Sequence, residues 1–167
     1  MRKRMMLLVG VMAVMGVALL GGAALGGQPV SFQATLSGAN EVPPVMTAGM
    51  GMATVSFDVP MGVATYRLEV RGVEGITQAH IHCAPSGANG PVAVFLAGGI
   101  AGPGVIVDGV WTKEGTFTAA NLLATACGTI FEAFITSVAA GNTYVNVHTS
   151  ARPAGEVRGQ LVPGPQP

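Results

Sequence analysis

Charge and aromatic rings are scarce in this 167-residue chain, at 10% and 5% of its residues. Lysine occurs only as Lys3 and Lys113, and no basic cluster lies beyond Arg4. Nucleic acids and anionic membrane surfaces are bound through clustered Lys and Arg, so neither is expected as a partner. Cysteine is limited to Cys83 and Cys127, which excludes a CxxC redox or zinc motif. No Gly-x-Ser-x-Gly occurs, so the nucleophile elbow of a Ser–His–acid hydrolase is missing. These shortages point away from an enzyme.

The abundant residues are glycine, 25 of them, and apolar side chains, 50% of the total. Part of that apolar content is concentrated at the start. Arg2, Lys3 and Arg4 precede an apolar run over 5–20, and the small residues around Ala24-Leu25-Gly26 suit a signal peptidase. Residues 1–26 therefore read as a signal peptide, with no membrane segment left after its removal and a secreted or periplasmic destination. The exported chain then keeps five of the eight cations against all eight anions, a net charge of −3. Its roughly 135 residues make one domain with enough chain to bury a core. Cys83 and Cys127 are expected to form one disulfide in that oxidising setting. Closing a loop of about 45 residues would add at most about 4 kcal/mol in the chain-entropy account.

Short alternating segments between Gly- and Pro-rich turns predict an all-β fold, an Ig-like or Greek-key β-sandwich. Strands are expected over 31–36, 52–59, 63–71, 76–82, 92–97, 143–149 and 156–162, with one or two more within 105–117. The 52–59 and 63–71 segments form a hairpin with one wet face, in which Ala53, Val55, Phe57, Val59, Ala64, Tyr66, Leu68 and Val70 point inward. The 92–97 segment is apolar on both faces and reads as a central strand. Glu41-Val42-Pro43-Pro44 cannot continue inside a sheet. Between 118 and 140 apolar residues recur at helical spacing, predicting one or two short helices before the last two strands. Residues 163–167 read as a disordered tail.

Histidine occurs three times, and all three lie in strand segments. Period-two alternation puts His80 and His82 on one face, about 7 Å apart, with Ile81 on the other. The same rule groups Tyr144, Asn146 and His148, and again Glu156, Arg158 and Gln160. Three strands thus share one layout, an apolar face for the core and a face of residues that hydrogen-bond in defined geometries. Three readings of that second face remain open. His80, His82 and His148 could converge on one zinc or copper ion, with Glu156 or Glu41 as a fourth ligand. The polar residues, Glu41 included, could instead form a satisfied structural network in which Glu156 and Arg158 tie the strands to the loop at 41–44. Or the face could bind a protein or glycan partner. A copper/zinc superoxide dismutase shares the His-x-His strand and a disulfide, but its two metals need more histidines than three.

Five segments in order carry a family likeness: 36–44 (LSGANEVPP), 79–82 (AHIH), 89–92 (NGPV), 141–149 (GNTYVNVHT) and 155–161 (GEVRGQL). Together they resemble the chordin (CHRD) domain over residues 30–162. The resemblance implies an extracellular all-β domain that acts as a non-enzymatic binding or structural module. In animals such domains repeat within chordin, a secreted antagonist of bone morphogenetic proteins. Bacteria have related secreted proteins with a single domain, which this chain resembles in layout. It has none of the cysteine-rich modules to which growth-factor binding is attributed, so that activity does not transfer. The family implies no catalytic or metal site that can be carried over. A mononuclear metal-binding protein is the alternative function.

Overall fold

A computed structural model describes residues 28–98 and 105–166. The expected signal peptide, residues 1–26, lies outside them. The described strands are β1 (Val30–Ser37), β2 (Met50–Asp58), β3 (Val63–Arg71), β4 (Ile76–Cys83) and β5 (Val92–Ala97). They continue with β6 (Val105–Val107), β7 (Val110–Thr118), β8 (Thr143–Thr149), β9 (Val157–Gln160) and β10 (Val162–Pro163). The helix α1 (Phe131–Ala139) precedes β8, and a short 3-10 turn at Ala119–Asn121 follows β7. The fold is all-β with a short helix before the last strands, as the periodicity predicts.

The strands form one antiparallel sheet in the order β5-β4-β8-β9-β1-β2-β3-β7-β6, with β10 also paired to β1. The sheet curls until β5 approaches β7, giving a flattened, nearly closed sandwich. Tyr66 of β3 marks the closure, because its buried hydroxyl donates to the Leu96 carbonyl of β5 at 2.6 Å. The β2–β3 hairpin pairs from Met50↔Arg71 to Asp58↔Val63. Its inward side chains are buried as alternation requires, except Val59, which lies past the end of β2 and is exposed. Arg67 pairs with Glu69 and Glu114 on the wet face, where such exposed pairs add little stability.

Phe57 is the centre of the core. Its ring lies 5.7–6.2 Å from those of Phe32, Phe117, Phe131 and Phe134, all in edge-on arrangements. Phe131 and Phe134 come from α1, so the helix closes one end of the sandwich with its apolar side. Edge-on aromatic pairs add specific attraction to the area they bury. Cys83 and Cys127 form a disulfide with Cα atoms 5.8 Å apart. It ties the end of β4 to the segment leading into α1.

Two expectations are corrected. The 92–97 strand is at the end of the sheet order, not its centre. It is apolar on both faces because Val94 and Leu96 enter the core while Phe95 packs against His80. Its carbonyls are capped by the Leu123 N–H, 2.9 Å from the Ala93 oxygen, and by the Tyr66 hydroxyl. The final segment is no loose tail through Gln166. Val162 and Pro163 pair with Gln33 and Phe32, and the Gln166 side chain bonds the Ser31 backbone in both directions. Pro163 is tolerated there because an added edge strand can leave one backbone position without a donor.

Replacing Phe57 by alanine would leave a cavity against four rings. Phe57→Ala is expected to lower the unfolding free energy by about 3–5 kcal/mol in urea titration. A loss under 1 kcal/mol would show that the aromatic cluster does not hold the core.

Candidate metal centre

The register of two neighbouring strands brings the histidines together. In the β4–β8 ladder His80 lies opposite Asn146, His82 opposite Tyr144 and Gln78 opposite His148. In the β8–β9 ladder Asn146 lies opposite Arg158 and Tyr144 opposite Gln160. The three-strand face inferred from alternation is therefore contiguous. It is not a wet surface, however: His80, His82, Tyr144, Asn146, His148 and Arg158 are all buried, none more than 8% exposed.

Loops bury it. Arg158 reaches into the 84–91 loop, donating to the Ala88 carbonyl at 2.7 Å and to Asn89 Oδ1 at 3.0 Å. Asn89 in turn donates to the Val42 carbonyl at 2.7 Å, binding that loop to the proline-containing turn after β1. Gln160 secures the loop's other end at the Ala84 carbonyl, 3.0 Å away. Gly90 sits where the loop presses closest, and a Cβ there would collide with the Cys83 carbonyl. Its own carbonyl points at His82.

That contact fixes a proton. His82 Nδ1 lies 2.9 Å from the Gly90 carbonyl oxygen, and His148 Nδ1 lies 3.0 Å from that of Pro153. A carbonyl only accepts, so each Nδ1 carries the hydrogen and each Nε2 keeps its lone pair. Backbone carbonyls orient metal-binding histidines in this way. His148 Nε2 then accepts from His80 Nδ1 at 3.0 Å, which leaves His80 Nε2 as a lone pair. His80 Nε2 and His82 Nε2 are buried and have no hydrogen-bond partner.

One ligand atom from each ring lies within 4.8 Å of the other two. With metal–nitrogen bonds near 2.0–2.1 Å, ligands sharing one ion sit about 3.3–3.5 Å apart. The 3.0 Å His80 Nδ1–His148 Nε2 contact is a hydrogen bond, which an entering ion breaks when it takes the His148 lone pair. The ligand atoms need shifts of no more than roughly 1–1.5 Å to share one ion. The walls are aromatic. Phe95 meets His80 edge-on at 4.6 Å, and Tyr144 stacks on His82 at 4.9 Å with an interplanar angle of 8°. The Arg158 guanidinium lies 3.4 Å from the centre of the Tyr144 ring.

Burial lowers all three histidine pKa values. His80 falls to about 3, pushed further by His148 and His82. His82 falls to about 4, the Gly90 carbonyl opposing the fall while His148 and Arg158 deepen it. His148 is also lowered, burial outweighing its bond to Pro153. The rings are neutral at physiological pH, the state that binds metal.

The carboxylates considered as fourth ligands are occupied elsewhere. Glu41 accepts from Asn146 Nδ2 at 3.1 Å through both oxygens. Glu156 accepts from Thr47 and Thr149 hydroxyls, each at 2.7 Å. Nor do Glu156 and Arg158 jointly clamp the 41–44 loop, since Arg158 is spent on the 84–91 loop and reaches Val42 only through Asn89. Gly155 adjoins the Glu41–Asn146 pair so tightly that a Cβ would lie 2.7 Å from the amide and 2.8 Å from Glu41 Oε1. Burial pushes the Glu41 pKa up to about 7, against the opposing pull of Asn146 and Arg158. The sequence reading missed Gly90, Pro153 and Phe95. The Asn89-Gly90-Pro91 segment was visible as a motif, but backbone carbonyls carry no residue-type signal.

A family model described as the CHRD domain matches residues 32–161. No curated protein and no solved structure matches the chain.

Glu41 carries a pH signature. Its folded pKa is above the ordinary carboxyl value of 4.5, so its contribution is full below that value and is lost as pH rises through about 7. The stability of wild type relative to Glu41→Gln is expected to fall between pH 5 and pH 8. A difference that is flat or rises, measured by denaturant titration at both ends, would show that Glu41 is not a buried acid.

Proposed function

This chain belongs to the CHRD-domain family, and we propose that it is an exported, non-enzymatic binding module whose ligand is one metal ion held by His80, His82 and His148. One observation carries the reading: two buried imidazole lone pairs, at His80 Nε2 and His82 Nε2, face no donor. A buried polar atom without a partner costs free energy, and native interiors seldom leave one. The surrounding network supports this choice over a purely structural role. Arg158, Gln160 and Glu156 all have good partners. Asn146 Oδ1 and Thr143 Oγ1 are the other unpaired buried atoms among the described residues, and the unpaired ring nitrogens are those of the neighbouring His80 and His82. A network built only for stability would have supplied these ring nitrogens with donors.

Export is supported by the family, whose domains are found in extracellular or secreted proteins, and by the disulfide, a bond that persists in oxidising compartments. Among the described residues no helix is long and apolar enough to cross a membrane. The non-enzymatic reading is supported by the cluster's composition: no free thiol, carboxylate or hydroxyl lies among the candidate ligands, and both cysteines are in the disulfide.

Protein purified without a polyhistidine tag and analysed for metals is expected to carry or take up one equivalent of copper or zinc. His80→Ala/His82→Ala should weaken that uptake by at least about tenfold, the scale on which even outer-shell losses act. If neither metal co-purifies and titrations of wild type and the double variant coincide, the metal reading is wrong.

A further inference from the structure

We infer that the ion this site selects is monovalent copper, Cu(I), in preference to Zn(II) or Cu(II). The inference rests on the metal-binding reading above and adds the identity and oxidation state of the ion.

The donor set is electrically neutral. Three imidazoles converge, Glu41 and Glu156 are committed to Asn146 and to Thr47 with Thr149, and both cysteine sulfurs are bonded to each other. No anion therefore offsets the charge of the bound ion. The cost of moving an ion out of water rises with the square of its charge, so a divalent ion meets about four times the penalty of a monovalent one. The buried rings make that penalty apply.

A fixed cation sharpens the selection. Arg158 lies against Tyr144, the ring stacked on His82. A positive charge one ring away from a ligand opposes every further unit of charge placed at the site, and it does so more strongly in a low-dielectric interior.

Coordination number agrees. Zn(II) in protein sites completes four ligands, and Cu(II) favours a tetragonal set. Here three nitrogens converge, with the Phe95 and Tyr144 rings packed against His80 and His82. A closed-shell d¹⁰ monovalent ion is satisfied by three. Binding the reduced state more tightly also raises the copper potential, by 59 mV for each tenfold difference.

The exposed methionines Met46, Met50, Met52 and Met61 offer competing soft ligands, so the experiment must separate them from the histidines. Untagged protein is titrated anaerobically with Cu(I) in ascorbate, using a bathocuproine chelator as competitor. Wild type is expected to bind one Cu(I) per chain and to keep it against a hundredfold excess of Zn(II). His80→Ala/His82→Ala should lose it, and Met46→Leu/Met50→Leu/Met52→Leu/Met61→Leu should retain it. X-ray absorption of copper-loaded wild type should show three nitrogen neighbours, a readout that depends on no variant folding. Displacement by zinc, or a four-coordinate shell, would overturn Cu(I) selection while leaving the metal site standing. Loss of copper in the methionine variant alone would overturn it by assigning the ion to the surface. If wild type binds neither copper nor zinc, the underlying reading fails as well.

Discussion

Polar side chains removed from water must find partners inside the protein, and the β4–β8–β9 face is organised by that constraint. The ladder sets His80 beside Asn146 and Asn146 beside Arg158, so one row across three strands holds an imidazole, an amide and a guanidinium, all buried. Each solves its partner problem differently. Arg158 takes loop carbonyls, Asn146 takes the Glu41 carboxyl, and His80 takes another histidine. The lone pairs left over at the histidines are what turn a structural face into a candidate site.

The rest of the fold holds this face shut. The disulfide begins at Cys83, one residue after His82, so the end of the ligand strand is fixed covalently. Gly90 lets the 84–91 loop lie close enough for its carbonyl to orient His82. The turn after β8 brings the Pro153 carbonyl to His148. Rings held by backbone on one side and by aromatic walls on the other have little freedom to reorient, which is the preorganisation a metal site requires.

Much of this was legible in the sequence because strand geometry has a period of two. Alternation assigned the faces of His80, His82, Tyr144, Asn146, His148, Arg158 and Gln160, and the even cysteine count anticipated the disulfide. What alternation cannot say is what covers a face. The polar side was open to reading as wet because the covering loops are written in Gly, Pro, Asn and Ala, residues that describe a turn but not its destination. The same gap explains β5, where Phe95 packs against the covered His80 and not toward solvent. It also explains Glu41 and Glu156: the sequence showed two carboxylates near the site but not the amide and hydroxyls that claim them.

The central claim is that the three histidines meet at one ion. Anomalous diffraction at the copper absorption edge tests it directly, on crystals of untagged protein grown anaerobically with one equivalent of Cu(I). The account predicts a single strong peak about 2.0–2.1 Å from a ring nitrogen of each of His80, His82 and His148. No peak among these rings, or one only at the exposed methionines, would contradict it.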